Sequence, residues 1–127
     1  MLTDSLRRLV EDNWSRPKRR ERQSAGVLNR NAWGSLVELG VGGLLVPEEF
    51  GGFGETAATM LAVHQELGRG LVSEPAISSA VIAVTLLANS QNQALKQRWL
   101  TAHAEGDAVL ALAWQEQGER DSQRPLC

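Results

Sequence analysis

Six glycines, Gly40, Gly42, Gly43, Gly51, Gly52 and Gly54, crowd the stretch around VPEEFGGFGE (46–55). Glycines at this density can fold backbone amides around a phosphate. That chemistry needs a spacing such as G-x-x-x-x-G-K-[ST] or G-x-G-x-x-G directly before a helix. GVGGLL (40–45) lacks the final glycine, and Glu48, Glu49 and Glu55 carry negative charge to the place a phosphate would occupy. A carboxylate there suits a helix N-terminus but repels an anion. The window therefore reads as a tight, solvent-accessible turn between two helices.

Other residues with chemical potential stand apart from one another. His64 and His103 fall on apolar helix faces, with no second ligand four residues on and no nearby cysteine, which argues for packing rather than metal binding. Ser73 precedes Glu74-Pro75 and has the look of a helix start rather than a nucleophile. RPKRRER (16–22) could touch nucleic-acid phosphates, yet no aromatics interleave with it, so a solvated face is the better reading. Trp14, Trp33 and Trp99 suit packing, whereas Trp114 ends an apolar run and could cover a flat ligand. Cys127 is the single cysteine, which excludes an internal disulfide and a cysteine metal cluster.

The chain has 127 residues, 43% hydrophobic and 22% charged, and a formal charge of −2. These are the proportions of one globular domain. The first 30 residues hold eight Lys/Arg against four Asp/Glu, and the remainder five against eleven. MLTDSLRRLVEDNW places charges where a signal peptide needs an apolar core. AISSAVIAVTLLA (76–88) is too short to span a bilayer. A cytoplasmic chain is the expectation.

The elements that must position these residues read as helices. Leu2, Leu6, Leu9 and Val10 recur at helical spacing, with Thr3 or Asp4 as cap. Residues 15–31 read as a polar connection, partly helical. A second helix starts at Asn31, buries Trp33, Leu36 and Val37, and ends at Gly40. A third begins near Glu55 or Thr56, lines one side with Ala57, Met60, Leu61, His64 and Leu67, and stops at GRG (68–70). Pro75 opens a fourth, apolar nearly all round and so expected at the centre of a bundle. Asn92 caps a fifth that turns Leu95, Trp99, Leu100 and His103 inward and stops at Gly106. AVLALAW (108–114) has the length and apolarity of a buried strand, but nothing follows to pair with it.

Taken in order, WGSLVELGVGGLLVPEEFGGFGE (33–55), HQELGRGLVSEP (64–75) and NQALKQRWLTAHAEGDAVLALAWQE (92–116) resemble the N-terminal part of the acyl-CoA dehydrogenase family. The family pattern is a leucine- and glycine-rich turn before P-E-x-x-G-G-x-G, a helix ending E-x-G-R, an apolar helix, a helix with K-x-x-W-L, and a strand entering T-E-P-G. The short GRGLVSEP link is most similar to the smaller-subunit type acting on pimeloyl-CoA.

The resemblance implies an all-α fold: an N-terminal helical bundle (1–107), with 108–127 as the start of a truncated middle β-barrel. It implies an FAD-dependent desaturation of an acyl-CoA at Cα–Cβ, in a homo- or hetro-oligomer, without nucleic acid or membrane. Trp114 and Gln115 match the strand end that faces the FAD, and Glu116 the glutamate of T-E-P-G. Gln117 replaces the proline, GERDS replaces A-G-S-D, and the family's catalytic glutamate lies in a C-terminal domain beyond this sequence. The expectation is a chain inactive by itself, its tail SQRPLC marking a frameshift or early stop. The alternative is a helical interaction module docking through its apolar strand and Trp114. Nucleic-acid binding through 16–22 ranks last.

Overall fold

The computed structural model describes residues 2–25 and 28–114. Six α-helices run in order: α1 (Leu2–Asn13), α2 (Arg16–Ala25), α3 (Arg30–Glu38), α4 (Ala57–Arg69), α5 (Val84–Ala88) and α6 (Gln93–Ala104). A 3-10 turn (Glu48–Phe50) sits in the glycine window, and a wide-wound π-helix (Ala76–Ala83) leads directly into α5. Among the described residues the fold is all-helical, as the periodicities require.

Local chemistry sets the boundaries. Asn29, not Asn31, caps α3: its Oδ1 accepts from Ala32 N–H at 2.9 Å. Thr56 Oγ1 accepts from Thr59 N–H to start α4, and Asn92 Oδ1 from Leu95 N–H to start α6. Thr3 and Asp4 lie within the first turn of α1 rather than before it. Gly40 (φ 88) and Gly106 (φ 87) reverse the chain after α3 and α6. After α4 the left-handed residue is Leu71 (φ 51), not a glycine. Gly70 is needed for a different reason: a Cβ there would run into Val10 of α1.

α1 packs chiefly on α4, and α5 on α6 and the π-helix. The larger core gathers Leu6, Trp14, Trp33, Leu36, Val63 and Leu67; a smaller one holds Val46, Phe50, Val84 and Leu100. Each such aliphatic or aromatic side chain, fully buried, contributes roughly 1.5–3 kcal/mol.

Four further expectations are corrected. Residues 16–25 are a helix, held from outside rather than by an apolar stripe: Arg19 Nη1 donates to Gly70 O, and the Arg22 guanidinium lies 4.6 Å from the Trp14 ring centre. The helix that begins after Pro75 is not central. It buries Ala76, Ser79, Ala80, Ala83 and Val84 but leaves Ile77, Ile82 and Leu86 exposed. Leu61, Leu95 and Trp99 also face outward. Residues 108–114, expected as a buried strand, form neither helix nor strand, and 111–114 are exposed; as expected, they have no strand partner among the described residues.

The glycine window is a self-contained loop. Phe53 N–H donates to Gly43 O (3.0 Å), Gly54 N–H to Val46 O (2.9 Å) and Glu55 N–H to Leu44 O (2.8 Å). These amides are spent on carbonyls of the same loop and are not presented to a ligand, as a turn requires and a phosphate cradle forbids.

Candidate functional site

The segment 108–114 emerges beside an apolar trough of about 430 Å³, walled by Ala83, Leu86 and Leu87 on one side, Trp99 on another, and residues 109–112 themselves. Its walls follow from the helix pattern: Ala83 and Leu87 are one turn apart, and Trp99 projects from α6 towards them. Arg98 stacks on Trp99 with its guanidinium carbon 4.6 Å from the ring centre. Leu86, Leu112 and Trp114 are 52%, 46% and 60% exposed, so the trough opens to one side as an uncovered apolar surface.

Trp114, read from sequence as a flavin-side residue, is the last described residue and stands at the end of this surface. Gln115, Glu116 and Gln117 lie outside the described residues. The trough can offer a flat wall to a ring or an acyl chain. Its lining has no ionisable side chain to meet a pyrophosphate, so the described residues do not by themselves fit a whole FAD.

The histidines are separate. His103 is fully buried, its ring centre 5.8 Å from that of Trp33. Its Nδ1 contacts Ala108 O at 3.0 Å, while its Nε2 and Trp33 Nε1 are buried without partners. Burial pushes the imidazole pKa below its ordinary value of 6.5, against the weaker opposing pull of the Ala108 carbonyl. His64 Nδ1 contacts Met60 O at 3.0 Å, and its ring borders a different cavity of about 400 Å³ between α4 and the π-helix. No group of three metal-capable side chains occurs among the described residues.

A larger cavity, about 660 Å³, lies between α2 and the 71–75 segment and contains Ser73, Arg19, Arg22 and Glu74. It brings no histidine to Ser73 among the described residues. The carboxylate there is already engaged: Glu74 Oε2 accepts from Trp14 Nε1–H at 2.7 Å, and its Oε1 lies 3.9 Å from Arg22 Nη1. Next to this cluster, Glu66 takes both prongs of Arg7 at 3.0 and 2.8 Å and a third contact from Arg69 at 3.4 Å. Neither glutamate was singled out by sequence as a structural partner, because Arg7–Glu66 and Trp14–Glu74 are about 60 positions apart.

These two titrating groups predict a stepped acid profile. The Arg7 hydrogen bonds hold the Glu66 carboxyl below its ordinary 4.5, so its stabilisation is present above that value and is lost as pH falls through the lower folded value. His103 is also depressed, so the unfolded chain takes up its proton first, and stability declines as pH drops below 6.5. The thermal midpoint is expected to be level above pH 7, to fall in one step below 6.5 and in a second below 4.5. His103→Asn should remove the first step only; a midpoint unchanged between pH 7 and 5 would contradict this.

Residues 1–107 match the acyl-CoA dehydrogenase N-terminal domain, and the chain belongs to the acyl-CoA dehydrogenase family. It is 40% identical over 76 residues to (2S)-methylsuccinyl-CoA dehydrogenase of Cereibacter sphaeroides, an alignment that covers 59% of this chain and 14% of that protein. It is 38% identical over 85 residues to the acyl-CoA dehydrogenase IpdE2 of Mycobacterium tuberculosis, covering 66% of this chain and 26% of the relative. Among solved structures it is similar to a chain of the ChsE4-ChsE5 complex from Mycobacterium tuberculosis, with a TM-score of 0.80 and 28% identity over 93% of this chain and 33% of that one. The chain thus spans between 14% and 33% of the length of these relatives. No described helix is long and apolar enough to cross a membrane.

Proposed function

We propose that this chain is the N-terminal α-domain of an FAD-dependent acyl-CoA dehydrogenase-like oxidoreductase, in which an acyl-CoA is desaturated between Cα and Cβ. Residues 1–107 are the helical domain, and 108–127 begin the middle β-domain. The observation that carries the reading is the uncovered apolar trough at the exit segment, 108–114, where the chain leaves the bundle. In the complete enzyme that surface is covered, and the helices wall the acyl pocket and contribute to the homo- or hetero-oligomer.

FAD, when bound, supplies the hydride acceptor. By the family resemblance Trp114 and Gln115 would be its neighbours in the complete enzyme, and the rest of its site would come from outside the described residues. The described residues set no carboxylate or histidine in the trough, so the base that removes the Cα proton comes from outside them.

Two measurements test this. The purified chain, mixed with FAD, acyl-CoAs of several lengths and an artificial electron acceptor, is expected to show no acceptor reduction and to retain no flavin on gel filtration. Turnover would overturn the assignment of an inactive domain. Sequencing of the gene across codon 115 and beyond codon 127 is expected to reveal a β-domain and a C-terminal helical bundle, in this frame or an adjacent one. Their absence would favour the helical interaction module that docks through Trp114.

A further inference from the structure

The exit segment has neither helix nor ladder bonds, yet side chains hold it at two points. Leu110 N–H donates to Ser79 Oγ at 2.8 Å, and His103 Nδ1 lies 3.0 Å from Ala108 O. A carbonyl only accepts, so Nδ1 carries the proton and Nε2 is bare. Both side chains are fully buried. Between these points Val109 packs against the larger core and Leu110 against the smaller one, so the segment straddles the two.

Ser79 sits within the π-helix. Ser79 O accepts from Val84 N–H within the helix, and the Ser79 hydroxyl accepts from Leu110 N–H outside it. Backbone bonds from Asp107 N–H and Ala108 N–H to Ala102 O only finish α6. They set where the helix stops, not where the chain goes next.

We propose that Ser79 and His103 are positioning residues, a two-point side-chain latch that fixes the path of residues 108–112 and thereby the place of Trp114. The consequence for a flavin rests on the function proposed above. The latch itself does not, because it is read on the chain alone without cofactor. Failure of the latch therefore leaves the family reading intact, and absence of dehydrogenase activity leaves the latch intact.

The test is amide exchange on the full chain, with the Leu110 amide compared against amides of α4 in the same sample. Ser79→Ala is expected to speed Leu110 exchange about tenfold relative to α4, the loss of one buried hydrogen bond. An unchanged ratio, whether or not the whole protein loosens, overturns the Ser79 point. For His103, backbone order of residues 109–114 is followed by heteronuclear NOE. His103→Leu is expected to lower the NOE there and not in α3. His103→Asn, whose Nδ2–H can replace Nδ1–H, is expected to restore it. Equal NOE values in wild type and His103→Leu, or no recovery in His103→Asn, overturns the His103 point.

Discussion

Gly52→Ala is expected to cost roughly 3 kcal/mol or more, among the largest effects of any single methyl in the chain. The added Cβ would coincide with the carbonyl oxygen of Val46 and press on its side chain. Val46 is buried, and its carbonyl accepts from Gly54 N–H, so it has nowhere to retreat. Moving it also disturbs Phe53 N–H to Gly43 O and Glu55 N–H to Leu44 O, the bonds that close the loop. Gly34→Ala is the control. Nothing lies within 4 Å of a Cβ there, in the interior of α3, so that change is expected to stabilise by about 0.5–1 kcal/mol. Urea unfolding of the two variants gives both numbers. A Gly52→Ala midpoint equal to wild type would show that the loop is not closed as described.

That contrast shows what was legible in the glycine window. The residue types indicated a turn, and the wrong spacing with three carboxylates excluded a phosphate cradle. Which glycine is needed for approach was not legible, because it depends on Val46 folding back over Gly52. The same division holds along the chain. Thr56 and Asn92 announce their helices because a cap acts on amides three residues away. α2 was read only as a partly helical connection, since it is held by Arg19 on Gly70 and Arg22 on Trp14, groups from other elements. The apolar run after Pro75 suggested burial all round, but only one face is buried: Ile77, Ile82 and Leu86 form a face that the described residues leave open.

The site was legible mostly through family motifs. Trp114 stood out as a large ring at the end of an apolar run, but the expectation of a flavin-side role came from the ordered resemblance. The latch was invisible for a physical reason. Ser79 acts on the backbone amide of Leu110, 31 positions away, and His103 on the backbone carbonyl of Ala108. Every residue carries such groups, so no residue type on the partner side flags the pairing.

Glu74→Ala is expected to be the second large loss, about 3 kcal/mol, while Glu74→Gln should cost about 1 kcal/mol. Glu74 is a nearly buried carboxylate that accepts from Trp14 Nε1–H at 2.7 Å and faces Arg22 Nη1 at 3.9 Å. Truncation leaves the Trp14 indole N–H without its acceptor and removes the only charge in that contact that opposes the Arg22 guanidinium. Glutamine keeps an oxygen for Trp14 and loses only the long ionic contact, so the difference between the variants separates the short hydrogen bond from the charge. Trp14→Phe in the Glu74→Ala background should then add little beyond its own packing loss, because the acceptor is already gone, as a double-mutant cycle would reveal. The cluster also bears on the basic run 16–22. Arg22 is stacked on Trp14 and Arg19 is bonded to Gly70 O, so two of its cations are spent inside the domain. If Glu74→Ala proved as stable as wild type, the Trp14–Glu74–Arg22 cluster would not be what secures this corner of the domain, and α2 would rest on Arg19 at Gly70 O.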